Sequence, residues 1–251
     1  MFRKLIILAI LVLVGVPVFA QSVDTAWVRR YNGPADSEDC AQALVLDNSG
    51  NVYVTGWSYG SGTNFDYATI KYNSQGNQLW VERYNGPGNG IDYAYAIALD
   101  NSGNVYVTGS SYGSGTYSDY ATIKYNSLGN QLWVRRYNGP ANATDGARAI
   151  ALDKSANVYV TGCSYGSGTN YDIATIKYDS QGNELWVERY DGPINDADVA
   201  SDIAVDNSRN VYVTGASYGY IGFYTNEYVT IKYDSLGSQL WVDRYMGPGD
   251  L

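Results

Sequence analysis

Histidine is absent from all 251 residues. Without an imidazole there can be no Ser-His-Asp or Cys-His nucleophile pair, no His-ligated zinc and no His-centred proton relay. Cysteine is almost absent as well, with Cys40 and Cys163 the two thiols. Positive charge is scarce: 16 Lys and Arg face 25 Asp and Glu, a net charge of −9. Setting aside residues 1–20, which hold Arg3 and Lys4 and no acid, leaves 231 residues with 14 bases and a net charge of −11 (14 − 25). A field of that sign argues against nucleic acid as a partner. Beyond the N-terminus no apolar run approaches the ~20 residues of a membrane span.

The N-terminus has the opposite character. Arg3 and Lys4 precede the 12-residue apolar run Leu5–Val16, and Val18-Phe19-Ala20 offers small residues where a signal peptidase reads. The expectation is a signal peptide, 1–20, and an exported chain, 21–251, in the periplasm, at the cell surface or in the medium. Gln21 stands where a lipoprotein needs cysteine. Export would permit a disulfide. The repeats described next, however, place Cys40 on a first strand and Cys163 at the end of a second strand two repeats later. A disulfide requires Cα atoms within about 7 Å, so two separate thiols are expected.

One sequence recurs along the chain. Trp27-Val-Arg-Arg-Tyr-Asn-Gly-Pro34 returns at Trp80, Trp133, Trp186 and Trp241, with spacings of 53, 53, 53 and 55 residues. A period near 50 marks a solenoid or a propeller. The repeats run approximately 35–87, 88–140, 141–193 and 194–248, and each carries four β signals. In the first they are Ala43-Leu-Val-Leu46, Val52-Tyr-Val-Thr55, Tyr67-Ala-Thr-Ile-Lys-Tyr72 and Gln78-Leu-Trp-Val-Glu-Arg-Tyr84, with turns at Asp47–Asn51 and Asn73–Asn77. The first strand is apolar on both faces and rich in small residues, which suits an innermost strand crowded around an axis. The fold class is therefore all-β: a β-propeller of four complete four-stranded antiparallel blades plus one extra outer strand at Trp27, seventeen strands in all. Three closures remain open. They are a four-bladed ring with a spare strand, an open arc that forms a homodimer through its blade edges, and a fragment of a larger propeller.

The stretches Gly50-Asn-Val-Tyr-Val-Thr-Gly56, Gly103 to Gly109, Asn157 to Gly162 and Asn210 to Gly215 resemble the secreted bacterial β-propeller repeat called SBBP, after "seven-bladed beta-propeller". The Asp-Tyr-Ala-Thr-Ile-Lys-Tyr and Gly-Asn-x-Leu-Trp strands follow in the same order. The resemblance spans about residues 26–248. It implies a propeller fold and an exported setting, and it brings no catalytic residues with it.

In an antiparallel blade the loops between second and third strands share a face with the linkers between blades. On this loop face Tyr59, Tyr112, Tyr165 and Tyr218 recur as candidate platforms for a glycan or a peptide. Asp66, Asp119, Asp172 and Glu227 recur beside them as candidate ligand-binding acids, and the acidity of the face admits Ca²⁺. Lys71, Lys124, Lys177 and Lys232, with Arg83, Arg136, Arg189 and Arg244, recur in every copy and are expected to serve the blade. The leading functional expectation is a non-enzymatic binding or structural module whose partner is a protein, peptide or glycan. One alternative is a quinone-cofactor dehydrogenase, because Tyr178-Asp-Ser-Gln-Gly-Asn-Glu-Leu-Trp186 is similar to the blade motif of those enzymes. Another is a carbohydrate-active enzyme built on two carboxylates.

Overall fold

Local chemistry sets the first hairpin before any packing is considered. The computed structural model describes residues 26–220 and 224–247, so the expected signal peptide lies outside the described residues. Asp47 turns the chain by accepting the backbone N–H groups of Ser49 and Asn51 at 2.9 Å each. Its second oxygen accepts Asn51 Nδ2 at 2.7 Å and the Tyr53 hydroxyl at 3.1 Å. Gly50 supplies the left-handed φ of 74° that the turn needs. Asp100, Asp153 and Asp206 repeat this arrangement. Ala156 and Arg209 then sit in the left-handed position, at φ of 59° and 66°.

These turns connect sixteen strands in four antiparallel sheets, each sheet used in chain order. The first blade is β1 (Asp39–Leu46), β2 (Val52–Tyr59), β3 (Phe65–Tyr72) and β4 (Gln78–Tyr84). The second is β5 (Asp92–Leu99), β6 (Val105–Tyr112), β7 (Ser118–Tyr125) and β8 (Gln131–Tyr137). The third is β9 (Asp145–Leu152), β10 (Val158–Tyr165), β11 (Tyr171–Tyr178) and β12 (Glu184–Tyr190). The fourth is β13 (Asp198–Val205), β14 (Val211–Tyr220), β15 (Tyr224–Tyr233) and β16 (Gln239–Tyr245). The repeat pattern predicts one strand more. Trp27 and its neighbours form no ladder among the described residues, none of which offers them an adjoining strand.

The first strands β1, β5, β9 and β13 touch in series and are innermost, and the blades stack back to front. On the back of the first blade Tyr53 and Tyr67 pack against Ala94, Val105, Val107, Ala121, Ile123 and Tyr125 on the front of the second. Small Ala94 and Ala121 make room for the Tyr67 ring, whose hydroxyl donates to Ala121 O at 3.2 Å. Full burial of such a side chain stabilises by about 1.5–3 kcal/mol, and the satisfied hydroxyl removes the cost of burying it. Farther out, Trp80 Nε1 donates to Ser127 O at 3.3 Å. Its ring lies over Gly129, where an added Cβ would come within 3.1 Å of the indole. The same packing joins the second blade to the third and the third to the fourth.

The series stops there. Among the described residues, substantial contacts link each blade to the next, and none of comparable extent joins the fourth to the first. Ala41 is exposed, although Ala94, Ala147 and Ala200 at its position in the later blades are fully buried. At the other end Tyr228 is 71% exposed where its counterparts Tyr67 and Tyr120 are at 0% and 1%. The arrangement of the described residues is an open arc of propeller blades, whose back end is exposed at Tyr228 and whose front end is covered in part by the segment Trp27–Tyr31.

Candidate functional site at the axial end of the loop face

The linkers and the second-to-third-strand loops meet on one face, as antiparallel alternation requires. Tyr59 N donates to Glu38 O at 3.0 Å, and Tyr112 N to Ile91 O at 3.2 Å. Beneath the linkers, Asp92 accepts Gly86 N at 2.6 Å and Tyr112 N at 2.9 Å, and Asp145 accepts Gly139 N at 2.6 Å and Tyr165 N at 3.0 Å. Burial pushes the carboxyls of Asp92, Asp145 and Asp198 above the usual range, against the pull of these hydrogen bonds. Asp92, Asp145 and Asp198 fasten each linker to the blade that follows it.

The four strand-start acids expected to bind ligand are engaged inside their own blades. Asp66, Asp119 and Asp172 are buried and meet Arg83, Arg136 and Arg189 at 2.9, 2.7 and 2.6 Å. Glu227 meets Arg244 at 3.1 Å. Arg136 also donates to Ser111 Oγ and O, at 2.6 and 2.8 Å, and to the Tyr84 hydroxyl at 3.0 Å, so one guanidinium ties three strands and the preceding blade together. Of the recurring tyrosines, Tyr59, Tyr112 and Tyr218 are more than one third exposed and Tyr165 is half-buried. Tyr59 and Tyr165 make edge contacts at 5.1 Å with Phe65 and Tyr171 of their own loops.

A different set of residues converges on the axis. Each innermost strand carries a β-bulge at the same place, leaving Gln42, Tyr95, Arg148 and Ser201 without a ladder partner. A bulge re-aims its side chain, and bulges of this kind are over-represented beside binding and active sites. Arg148 lies 5.8 Å from the centroid of the Tyr95 ring, so bulge residues of neighbouring blades touch. Trp57 packs at 4.6 Å on Tyr93 and 6.3 Å from Tyr95, and Phe65 closes the group at 5.7 Å from Tyr93. Next to Arg148, burial raises the Cys163 thiol, while the guanidinium pulls it back. Cys40 and Cys163 are both free. The result is an aromatic patch bordered by one exposed cation. Among the described residues no group of three or more Cys, Asp or Glu is gathered as a metal ion would require.

Residue-by-residue reading of single copies misses this site. Its signal lies in the columns of the repeat: Trp57, Ser110, Cys163 and Ala216 share one position, and Cys40, Tyr93, Gly146 and Val199 share another. Of the positions that differ in kind between copies, these come together in space, whereas the outer-strand column Glu82, Arg135, Glu188 and Asp243 changes charge from blade to blade away from the inner strands.

Comparison with known proteins agrees with the fold. Residues 79–115 match the model of the SBBP beta-propeller repeat. An uncharacterised WD repeat-containing protein of Acanthamoeba polyphaga mimivirus is 31% identical over 131 residues, which are 45% of this chain and 9% of that protein. Among solved structures, a gluconolactonase of Xanthomonas campestris superposes with a TM-score of 0.47 at 12% identity, covering 82% of this chain and 62% of the other. The β-propeller domain of the Trilobed protease from Pyrococcus furiosus, described as having an open velcro topology, gives 0.47 at 7% identity, covering 80% and 57%. The chain thus spans less than two thirds of the length of each of these proteins. At such identities and scores these two likenesses carry no argument about this chain, and the activities of those proteins stay with them.

Proposed function

We propose that the chain is a non-enzymatic binding module, exported by its first twenty residues, that holds a glycan at the axial end of its loop face. One observation carries the reading: among the positions where the repeat departs from itself, Trp57, Tyr93, Tyr95, Arg148 and Cys163 meet in space. Aromatic faces suit the apolar face of a sugar ring, and Arg148 supplies donors for its hydroxyls or a carboxylate. The Tyr59, Tyr112, Tyr165 and Tyr218 rim would extend the contact outward. The chemistry invoked needs no cofactor.

The test is titration of the protein with neutral and uronate-containing oligosaccharides, followed by indole fluorescence, with Trp57→Phe to assign the signal. Saturable binding that weakens at least tenfold in Tyr95→Ala supports the proposal. Binding that survives Tyr95→Ala and Arg148→Ser but fails in Tyr112→Ala would move the site to the rim. Export is checked by fractionating an expressing culture and sequencing the N-terminus, which should begin at Gln21.

A further inference from the structure

The two ends of the arc are the two halves of the surface that the molecule buries three times within itself. On the front of the first blade Ala41, Val54, Ala68, Ile70 and Tyr72, together with the overlying segment Trp27–Tyr31, line a cavity of about 490 Å³, and Ala68, Ile70 and Tyr72 are already buried there. Their counterparts Ala94, Val107, Ala121, Ile123 and Tyr125 are covered by Tyr67 and Tyr53 of the blade before. On the back of the fourth blade Tyr228 stands exposed, stacked at 6.4 Å on an exposed Tyr245. Its counterparts Tyr67 and Tyr120 are buried, donating to Ala121 O at 3.2 Å and Ala174 O at 3.1 Å. Socket and knob are both built, and they match each other because both derive from one repeat.

A third feature says what competes for the socket. The segment from Trp27 to Tyr31 lies on the first blade as β4 lies on the second. Trp27 Nε1 donates to Ser74 O at 3.2 Å, as Trp80 Nε1 does to Ser127 O at 3.3 Å. Arg83 donates to the Tyr31 hydroxyl at 3.3 Å, as Arg136 does to that of Tyr84 at 3.0 Å. An incoming fourth blade would bring Trp241 and Tyr245 of β16 to those same places, and one site cannot hold both.

We propose that two copies of this chain associate head to tail, the back of the fourth blade of one docking on the front of the first blade of the other. Tyr228 enters the Ala68 socket, and β16 displaces the resident Trp27–Tyr31 segment. The contact is heterologous, and two of them related by a two-fold axis close two four-bladed arcs into a ring of eight, within the range of known propellers. The N-terminal segment then acts as an internal competitor that keeps the association weak.

Sedimentation velocity and light scattering on the full chain across a concentration series test this, with Tyr228→Glu on the knob and Leu44→Glu beside the socket. Both positions are more than half exposed, so the variants should melt as the wild type does. Wild type should dimerise with concentration, and each variant alone should stay monomeric at tenfold the wild-type midpoint. An equimolar mixture of the two should regain a 1:1 complex through the single contact that keeps both native faces, open and weaker than the wild-type ring, since one variant keeps its front and the other its back. Trp27→Ala should tighten the wild-type dimer at least threefold by removing the competitor. Three outcomes would overturn the proposal: a mixture that stays monomeric, a dimer lost in one variant but not the other, or wild type and Trp27→Ala both remaining monomeric.

Discussion

On the turn face Asp47, Asp100, Asp153 and Asp206 accept the same groups at nearly the same distances, whereas Gln42, Tyr95, Arg148 and Ser201 on the inner strands share a backbone position and no chemistry. The difference follows from what each residue is bonded to. A turn aspartate closes a network within its own hairpin, so a substitution that removes its side-chain oxygens leaves two backbone N–H groups, one of them half-buried, without that acceptor. A bulge residue has no ladder partner, so the blade tolerates a different side chain at that position in each copy. Electrostatics separates the faces in the same way. At Asp100 burial raises the carboxyl, but hydrogen bonds from Asn104, Tyr106 and Ser102 together outweigh it and hold the group below its usual range. At Asp92, Asp145 and Asp198 burial prevails and the carboxyls rise.

The largest effect expected on the repeated framework is that of Arg136→Ala. The change strips Asp119, Ser111 and Tyr84 of their common donor and leaves a buried carboxylate unpaired. Breaking a buried pair costs about 3–5 kcal/mol, and the lower figure applies because 22% of the arginine side chain is in water. Chemical denaturation should show a loss of roughly 3 kcal/mol. A loss below about 1 kcal/mol would instead place the pair among ordinary surface ion pairs.

Asp100→Ala comes next, at about 2 kcal/mol, because four hydrogen bonds to one carboxylate go together. Its pH dependence gives a sharper measurement. The folded pKa of Asp100 is lowered, so the advantage of wild type over the variant is present above the unfolded value of about 4 and is lost as pH falls through the folded value. Asp92, Asp145 and Asp198 act in the opposite sense: their contribution is greatest below about pH 4 and is lost as pH rises through their raised values. Thermal melts of wild type and Asp100→Ala that stay parallel from pH 7 to pH 3 would contradict the assignment for the turn face.

The blade was legible in the sequence because its determinants are local and repeated. Alternating Val52-Tyr-Val-Thr55, the turn Asp47-Asn-Ser-Gly-Asn51 and the period of the tryptophans suffice to place four strands per unit. The extra strand at Trp27 was misread for a related reason: its sequence is that of a fourth strand, but a ladder needs a neighbour and the sequence of one strand does not say whether the neighbour is there. The roles of Asp66 and its counterparts were hidden because Arg83 lies 17 residues away on another strand, and only the register of β3 on β4 brings them together. The axial group was hardest to see, since Trp57, Tyr93, Tyr95 and Arg148 come from three blades. It required comparing copies for difference, where the repeat invites comparing them for likeness.

Within the turn face the copies are not equally good, and this gives a smaller effect of opposite sign. Ala156 holds φ at 59° where Gly50 and Gly103 do the same work at 74° and 75°. A left-handed Ala costs about 1–2 kcal/mol, and glycine recovers this less the greater entropy of its unfolded chain. Ala156→Gly should therefore stabilise by about 0.5–1 kcal/mol in denaturant titration. A destabilised variant would mean that the Ala156 methyl packs more usefully than its backbone angle allows.

The smallest stability effect belongs to the axis, and it is the one that divides the two regions most cleanly. Arg148 is exposed, and its contact with the Tyr95 ring is worth about 0.5–1 kcal/mol at such a site. Loss of that contact in Arg148→Ser is partly offset by release of the long side chain, so the melt should shift by no more than about 0.5 kcal/mol. Glycan affinity should fall at least tenfold in the same variant, while Gln42→Ser, on the equivalent bulge of the first blade, should leave both quantities near wild type. A framework residue behaves in the reverse way, as Asp100→Ala should by losing stability while the folded fraction still binds. If Arg148→Ser destabilised the chain as Asp100→Ala does, the bulge residues would belong to the framework after all, and the departures of the repeat would record packing rather than recognition.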